Sequence, residues 1–271
     1  MRIRILTVAV ALCCATGCMA DNLRLWYKRP AKSWVEALPV GNSRMGAMIY
    51  GGTSHEELQL NDETFWGGSP YRNDKADALK ALPEVRQLIF DGKTTEAQEL
   101  IQETFYAGQH GMPYQTIGSL VIDQTGVDSV SNYSRELDIE RAVATTTFRA
   151  NGVNFRREVF ASLADKVIIV RLTADVDGAI NLTVGYTSPV EDAAVSHKGN
   201  RLIISGTGKS HEGVPGLVKM QTLTQAVNVG GKVKVDDKAI SVTGAKELTL
   251  YISSGTNFVN YHDISGNAGK N

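Results

Sequence analysis

The sequence predicts a mainly β protein: a large antiparallel β-sandwich carrying one short helical insertion, at about residues 75–106. Three observations carry that prediction. From Val153 onward, apolar and polar residues alternate with the period of two that marks half-buried strands. Short Gly- and Asp-rich loops separate these runs, as expected for antiparallel pairing. Between Asp74 and Phe105 the period changes, and Ala and Leu recur at helical spacing.

In chain order, residues 1–20 read as an export signal. Arg2 and Arg4 form a basic start, Ile5 to Ala15 an apolar core, and small residues follow. The apolar run falls short of the roughly 20 residues a permanent membrane helix needs. Two processing routes fit: cleavage before Asp21, or acylation of Cys18 within Ala15-Thr16-Gly17-Cys18. The first implies a secreted, periplasmic protein. The second implies an outer-membrane lipoprotein of a Gram-negative bacterium, touching the membrane only through its anchor.

All three cysteines (Cys13, Cys14, Cys18) belong to this leader, so the mature chain would have no disulfide and no thiolate chemistry. A chain of 271 residues is long enough to bury a large core without cross-links. Loss of Arg2 and Arg4 takes the formal charge from −1 to −3. A globally basic surface for nucleic acid is therefore not expected.

Gly41 and Gly46 bracket a turn leading into an apolar strand. They have the spacing of a phosphate loop but lack its Lys-Ser/Thr, so no nucleotide site is expected. Residues 61–73 follow as a loop, ending in Gly67-Gly68-Ser69-Pro70. Two short helices come next. Pro83 suits a first helical turn, and Thr95 with Gln98 has the spacing of a capping box. Their apolar stripe is expected to pack on the sheet.

Val167-Ile168-Ile169-Val170 is apolar on both faces and reads as a central strand. Ile180, Leu182, Val184 and Tyr186 alternate with polar residues, as do Leu248, Leu250 and Ile252. Loops at Asp175–Gly178, Gly230-Gly231 and Asp236–Lys238 separate these strands. The domain is expected to occupy residues 21–255. Residues 256–271 hold few apolar groups and are expected to be a poorly ordered start of a linker.

The five histidines lie apart, with no His-x-x-x-His or His-x-Glu spacing, so neither a metal nor another cofactor is expected. No Gly-x-Ser-x-Gly elbow occurs. Glycoside hydrolysis needs two carboxylates flanking the scissile bond. Asp62 and Glu63 are adjacent; in an extended strand they point to opposite faces, whereas in a turn their geometry is open. Glu36, Glu56 and Glu57 are candidates by type only, and no catalytic residue is assigned.

Sugar-compatible groups are densest in residues 61–73. Trp66 offers a flat apolar face, and Asn61, Glu63 and Arg72 offer directional hydrogen bonds. Gly67-Gly68 would let a backbone approach closely. The alternative is that Trp66 anchors a neighbouring domain.

Several segments resemble, in order, the N-terminal region of glycoside hydrolase family 95, the inverting α-L-fucosidases. They are Leu25-Trp26-Tyr27 with Trp34, Gly41–Met48, Leu60–Pro70, Tyr114–Leu120, Tyr133–Asp138 and Phe155–Phe160. Asp62-Glu63 reverses the family's usual acid order, and Ser43, Thr116 and Ser119 replace a glycine, a proline and an aspartate.

The resemblance implies an N-terminal β-super-sandwich joined through a helical linker to a catalytic (α/α)6 barrel. It implies α-L-fucoside or L-galactoside chemistry on fucosylated glycans for the complete enzyme. The chain reaches Asn271 about where that barrel would begin, so it is expected to support the barrel and to be inactive alone. Its sugar contacts would come from Asn61, Glu63, Trp66, Arg72 and Gln115, with the loop around Phe65 and Trp66 exposed where the barrel docks. A freestanding carbohydrate-binding module built on Trp66, Tyr71 and Tyr114 is the alternative. An aldose mutarotase would need a His–Glu pair that the sequence does not indicate.

Overall fold

The computed structural model describes residues 23–106 and 110–270. The expected leader, with Cys13, Cys14 and Cys18, lies outside the described residues. Strand β1 (Arg24–Tyr27) leads through a single 3-10 turn at Trp34–Glu36 into the hairpin β2 (Leu38–Gly41) and β3 (Met45–Ile49), then β4 (His55–Asp62). Helices α1 (Ala78–Phe90) and α2 (Thr94–Phe105) follow.

The rest is strand. It runs β5 (Gly118–Gln124), β6 (Ser131–Asp138), β7 (Val143–Ala150), β8 (Val153–Ser162), β9 (Val167–Ala174) and β10 (Ile180–Thr187). Then come β11 (Ala194–Lys198), β12 (Arg201–Thr207), β13 (Lys219–Val229), β14 (Lys232–Val235), β15 (Ile240–Ala245) and β16 (Glu247–Thr256).

These strands form two sheets of antiparallel pairs, so the chain is mainly β and sandwich-like. The nine-stranded sheet has the order β1-β6-β7-β8-β9-β16-β13-β12-β11, and the seven-stranded sheet the order β14-β15-β10-β5-β4-β3-β2. β9 is the middle strand of the larger sheet. Its Ile168 and Val170 are fully buried while Val167 and Ile169 are half-buried, which explains its continuous apolar run. Leu58, Leu60, Leu120, Ile122, Val184 and Leu250 fill the space between the sheets.

The turns behave differently from one another. Asp236–Lys238 closes the β14–β15 hairpin as expected. Asp175–Gly178 and Gly230-Gly231 instead carry the chain from one sheet to the other, since β9 and β13 belong to the larger sheet and β10 and β14 to the smaller. Local composition is the same in a hairpin and in a crossover, so turn chemistry alone does not separate them.

Polar bolts pin the sheets together. Arg157 on β8 reaches across to the fully buried Glu56 on β4 and donates to the Gly52 carbonyl at 2.8 Å. Glu56 Oε1 accepts from the Gly51 N–H at 2.8 Å and the Glu57 N–H at 3.0 Å. Burial pushes the Glu56 carboxyl up, and Arg157 with these N–H groups pulls it back.

Arg135 on β6, also buried, donates to the carbonyls of Arg29 and Glu36, both at 2.8 Å, and stacks 4.2 Å from the Tyr27 ring. Gly51 adopts φ +74°, and a Cβ there would lie 2.7 Å from the Arg135 Cδ. Only glycine fits that corner.

The helices depart from expectation in three ways. Pro83 sits well inside α1, which begins at Ala78, rather than in its first turn. Lys93 occupies the N-cap of α2 with no side-chain cap, so Thr95 and Gln98 do not form the expected box. The pair packs on itself: only Val85 and Ala97 are buried, while Leu79, Ile89 and Phe90 face solvent. The apolar stripe therefore does not seal the sheet. Helical periodicity identifies an apolar face but not the surface that covers it.

The C-terminal segment is also more structured than its composition predicted. β16 continues to Thr256 opposite Met220. Beyond it the chain folds back, with the Asn257 N–H on the Lys219 carbonyl and the Gly266 N–H on the Asn257 carbonyl, both at 3.0 Å. Backbone pairing and the half-buried Ile264 supply what apolar content does not.

Candidate functional site

The sugar-compatible segment begins where β4 ends. Asp62 is the last inward-facing residue of that strand and is fully buried. Its Oδ1 accepts from the Thr64 N–H at 3.0 Å and the Thr64 hydroxyl at 2.7 Å, which closes the turn. Its Oδ2 lies 3.8 Å from Arg44 Nε. Asp62 is thus a turn-forming group with no access to a ligand.

Glu63 is exposed in the turn, so the two adjacent acids diverge and do not bracket a common space. Phe65 is 0 % exposed and belongs to the core, which corrects the expectation that it lies bare beside Trp66. One residue later the chain bridges to Tyr114, and Trp66 emerges at the surface.

Trp66 and Tyr114 form the most defined feature of this surface. They are 42 % and 46 % exposed, and their rings meet edge-on at 5.0 Å. Both polar tips are tied down: Trp66 Nε1 donates to the Glu63 carbonyl at 2.8 Å, and the Tyr114 hydroxyl to the Asp62 carbonyl at 3.0 Å. Burial, with help from the Asp62 and Glu63 charges, pushes the Tyr114 hydroxyl above its ordinary range, so it remains a donor. The two rings are a preorganised apolar face.

Beside Trp66 opens an apolar cleft of about 180 Å³ bounded by Pro70, Tyr71, Met112, Phe258 and Tyr261. Phe258 and Tyr261 come from the C-terminal segment, and no local signal near residue 66 pointed to them. Gly67 and Gly68 do allow close approach, but of the protein's own chain. Their N–H groups donate to the Pro113 and Lys209 carbonyls, both at 2.8 Å. Gly68 has φ +71°, and a Cβ there would lie 2.2 Å from the Met112 sulfur.

The other expected contacts are dispersed. Asn61 lies on the outward side of β4, opposite Gly46. Arg72 is exposed and pairs with Asp74 at 3.2 Å. Gln115 Oε1 accepts from the Lys209 N–H at 2.8 Å, holding the 208–217 loop against the Trp66 segment. Of the five residues, the fold puts only Trp66 on the cleft.

The remaining acids serve the fold. Glu36 makes a two-point pair with Arg29 at 3.0 Å and accepts from the Lys32 N–H at 2.9 Å. Glu57 accepts from the Ser119 hydroxyl at 2.6 Å. The cleft at Trp66 has no acid and the larger one over β12 has Asp192 alone, while a cleft along α2 holds Glu99 and Glu103 one helical turn apart on a single face, not across from each other. Among the described residues, no three His, Cys, Asp or Glu side chains converge as metal ligands would.

Comparison with known proteins decides the family. Residues 25–261 match the family model described as "Glycosyl hydrolase family 65, N-terminal domain". The chain belongs to this family. As a glycosyl hydrolase family 65 N-terminal domain, it has fucosidases among its relatives. It is 32 % identical to "Alpha-L-fucosidase 2" of Arabidopsis thaliana, over 89 % of this chain and 31 % of that protein. It is 28 % identical to "Probable alpha-fucosidase A" of Aspergillus niger, over 92 % of this chain and 32 % of that protein. A protein of the same description from Aspergillus oryzae is 26 % identical, over 89 % of this chain and 34 % of that protein.

The chain thus spans about a third of the length of the curated relatives it matches. The resemblance read from the sequence holds at the level of an N-terminal glycoside-hydrolase domain with α-L-fucosidase relatives.

Proposed function

We propose that this chain serves as the N-terminal sandwich domain of a secreted, inverting α-L-fucosidase acting on fucosylated glycans. In this reading an α/α-barrel partner domain supplies the acid and base, and the sandwich supports it. The ring pair Trp66–Tyr114 lends an apolar wall to the rim of the sugar pocket. The leader would export the protein to the periplasm, or to the outer membrane if Cys18 is acylated.

The observation that carries the reading is the employment of the acids. Glu56 and Asp62 are buried in structural contacts, Glu36 and Glu57 are held by neighbours, and neither the Trp66 cleft nor the β12 groove offers two carboxylates. An inverting pair stands roughly 6.5–9.5 Å apart across the sugar. The fucosidase relatives supply the substrate class.

The test is a chimera in which this chain replaces the matching third of the Arabidopsis relative. We expect the chain alone to release nothing from an aryl α-L-fucoside. The chimera should release L-fucose whose first-formed anomer is inverted. A folded chimera without turnover, or turnover by the isolated chain, overturns the proposal.

The fixed, exposed ring pair favours one alternative, a binding module that holds glycans without cleaving them. Millimolar or tighter binding of a fucosylated oligosaccharide to the chain, abolished by Trp66→Ala with the fold intact, would favour it.

A further inference from the structure

A groove of about 880 Å³ crosses the outer face of the nine-stranded sheet, on the other side of the C-terminal segment from the Trp66 cleft, with which it shares Ile264. Its floor is β12 and the start of β13, where Ile203 and Met220 contribute apolar atoms. One wall is the C-terminal segment, folded back through Asn257 and Gly266. Its volume falls in the range of ligand sites, roughly 300–1,000 Å³.

The charge of the groove is net positive, with two lysines against one aspartate. The single acid, Asp192, accepts from the Thr207 N–H at 2.7 Å through Oδ1, which holds that carboxyl below its ordinary range and keeps it anionic, tied to the edge of β12. Lys198 and Lys219 line the groove, and among the described residues no carboxylate pairs with either ammonium. The Gln221 amide, between them on the floor, makes no hydrogen bond to another described residue. The Ser205 hydroxyl adds a further short polar group.

Lys198 stands opposite Arg201 and Lys219 opposite Thr207, so the cations mark opposite ends of β12. At about 3.3 Å per residue their backbones are roughly 20 Å apart. That span suits an extended ligand with charge near both ends and hydroxyls between. Aromatic stacking platforms, which single-stranded nucleic acid uses, are absent from the lining.

We propose that this groove binds an acidic oligosaccharide, with Lys198 and Lys219 pairing to carboxylates of separate sugar units and Gln221 hydrogen-bonding the hydroxyls between them. The groove borders the Trp66 cleft through Ile264, but its lysines point to an acidic ligand whether or not the fucosidase reading holds.

The test is titration calorimetry of the full chain with hexa-galacturonic acid, long enough to reach both lysines, and with its fully methyl-esterified, neutral form. The acid hexamer should bind, more weakly at high salt, and the ester at least about tenfold less well. Lys198→Gln and Lys219→Gln should each weaken binding of the acid. Lys232→Gln, on β14 of the other sheet, should leave it unchanged. No binding of the acid hexamer, equal binding of the ester, or an equal loss in Lys232→Gln overturns the proposal. The probe carries no fucose, so its result is independent of the chimera's.

Discussion

Glu36 shows how a half-buried carboxylate can matter to a fold without taking part in chemistry. Its side chain is clamped first by Arg29 and then by the Lys32 N–H, which lowers its carboxyl from 4.5 to about 2. The folded state therefore prefers the ionised form. The stabilisation is fully present above the unfolded value and is lost as pH falls through the folded one. We expect the acid limb of the unfolding profile between about pH 4.5 and 2 to flatten in Glu36→Gln. Melting temperature against pH checks this, and an unchanged limb would remove Glu36 from the account. Solvent screening keeps the amplitude small.

Arg157 is the opposite case. Removing one partner of a buried ion pair strands the other charge, at a cost of about 3–5 kcal/mol. Arg157→Met leaves Glu56 buried with only backbone N–H groups around it, and urea denaturation should register a loss of that size. A loss below about 1 kcal/mol would mean that water reaches Glu56 and the bolt is not a bolt. Two of the segments that resemble the fucosidase family, Tyr133–Asp138 and Phe155–Phe160, contain Arg135 and Arg157. In this chain both arginines fasten the fold, Arg135 through the Arg29 and Glu36 carbonyls and Arg157 through Glu56 and the Gly52 carbonyl.

At the scale of elements, the helical pair stands apart from the sandwich. α1 carries Pro83 in its interior, where the ring removes a hydrogen bond to the Leu79 carbonyl and crowds it. Since the pair rests mainly on itself, its local stability is decoupled from the core. Pro83→Ala should slow hydrogen exchange across α1 while the melting temperature of the whole domain stays put. A matching rise in the global melting temperature would show instead that the helices fold as one unit with the sheets.

The C-terminal segment supports a second expectation at this scale. The N–H groups of Asn257 and Gly266 should exchange slowly, because each has a backbone acceptor at 3.0 Å.

For the whole molecule, the exposed apolar residues set solution behaviour. Trp66 and Phe90 stand bare on the surface, Phe90 at 81 %, and the formal charge of −1 offers little repulsion between copies. The chain should self-associate with rising concentration, and Trp66→Ser or Phe90→Ser should reduce this without loss of stability. Phe65→Ser should behave differently, since that ring is fully buried, and deleting such a ring costs about 3–5 kcal/mol. Sedimentation and urea denaturation on the three variants separate the effects. A clean monomer at high concentration for the unaltered chain would remove the basis for the surface claim.

The sequence alone determined the mainly β class, the place of the helices and several strands. A half-buried strand writes its two faces into alternate residues, as Ile180, Leu182 and Val184 do, and the central β9 writes its position as an unbroken apolar run. It also marked Trp66 as a surface aromatic within a polar loop.

Only the tertiary structure decided which turns cross between sheets, that Phe65 faces inward, and that Phe258 and Tyr261 complete the cleft at Trp66. It likewise separated Arg72 and Gln115 from that cleft and assembled the Lys198–Lys219 groove. The reason is that periodicity reports the burial of a residue relative to its neighbours in the chain. A site or a crossover is set by contacts between segments far apart in sequence, such as 66 with 261, and these leave no local pattern.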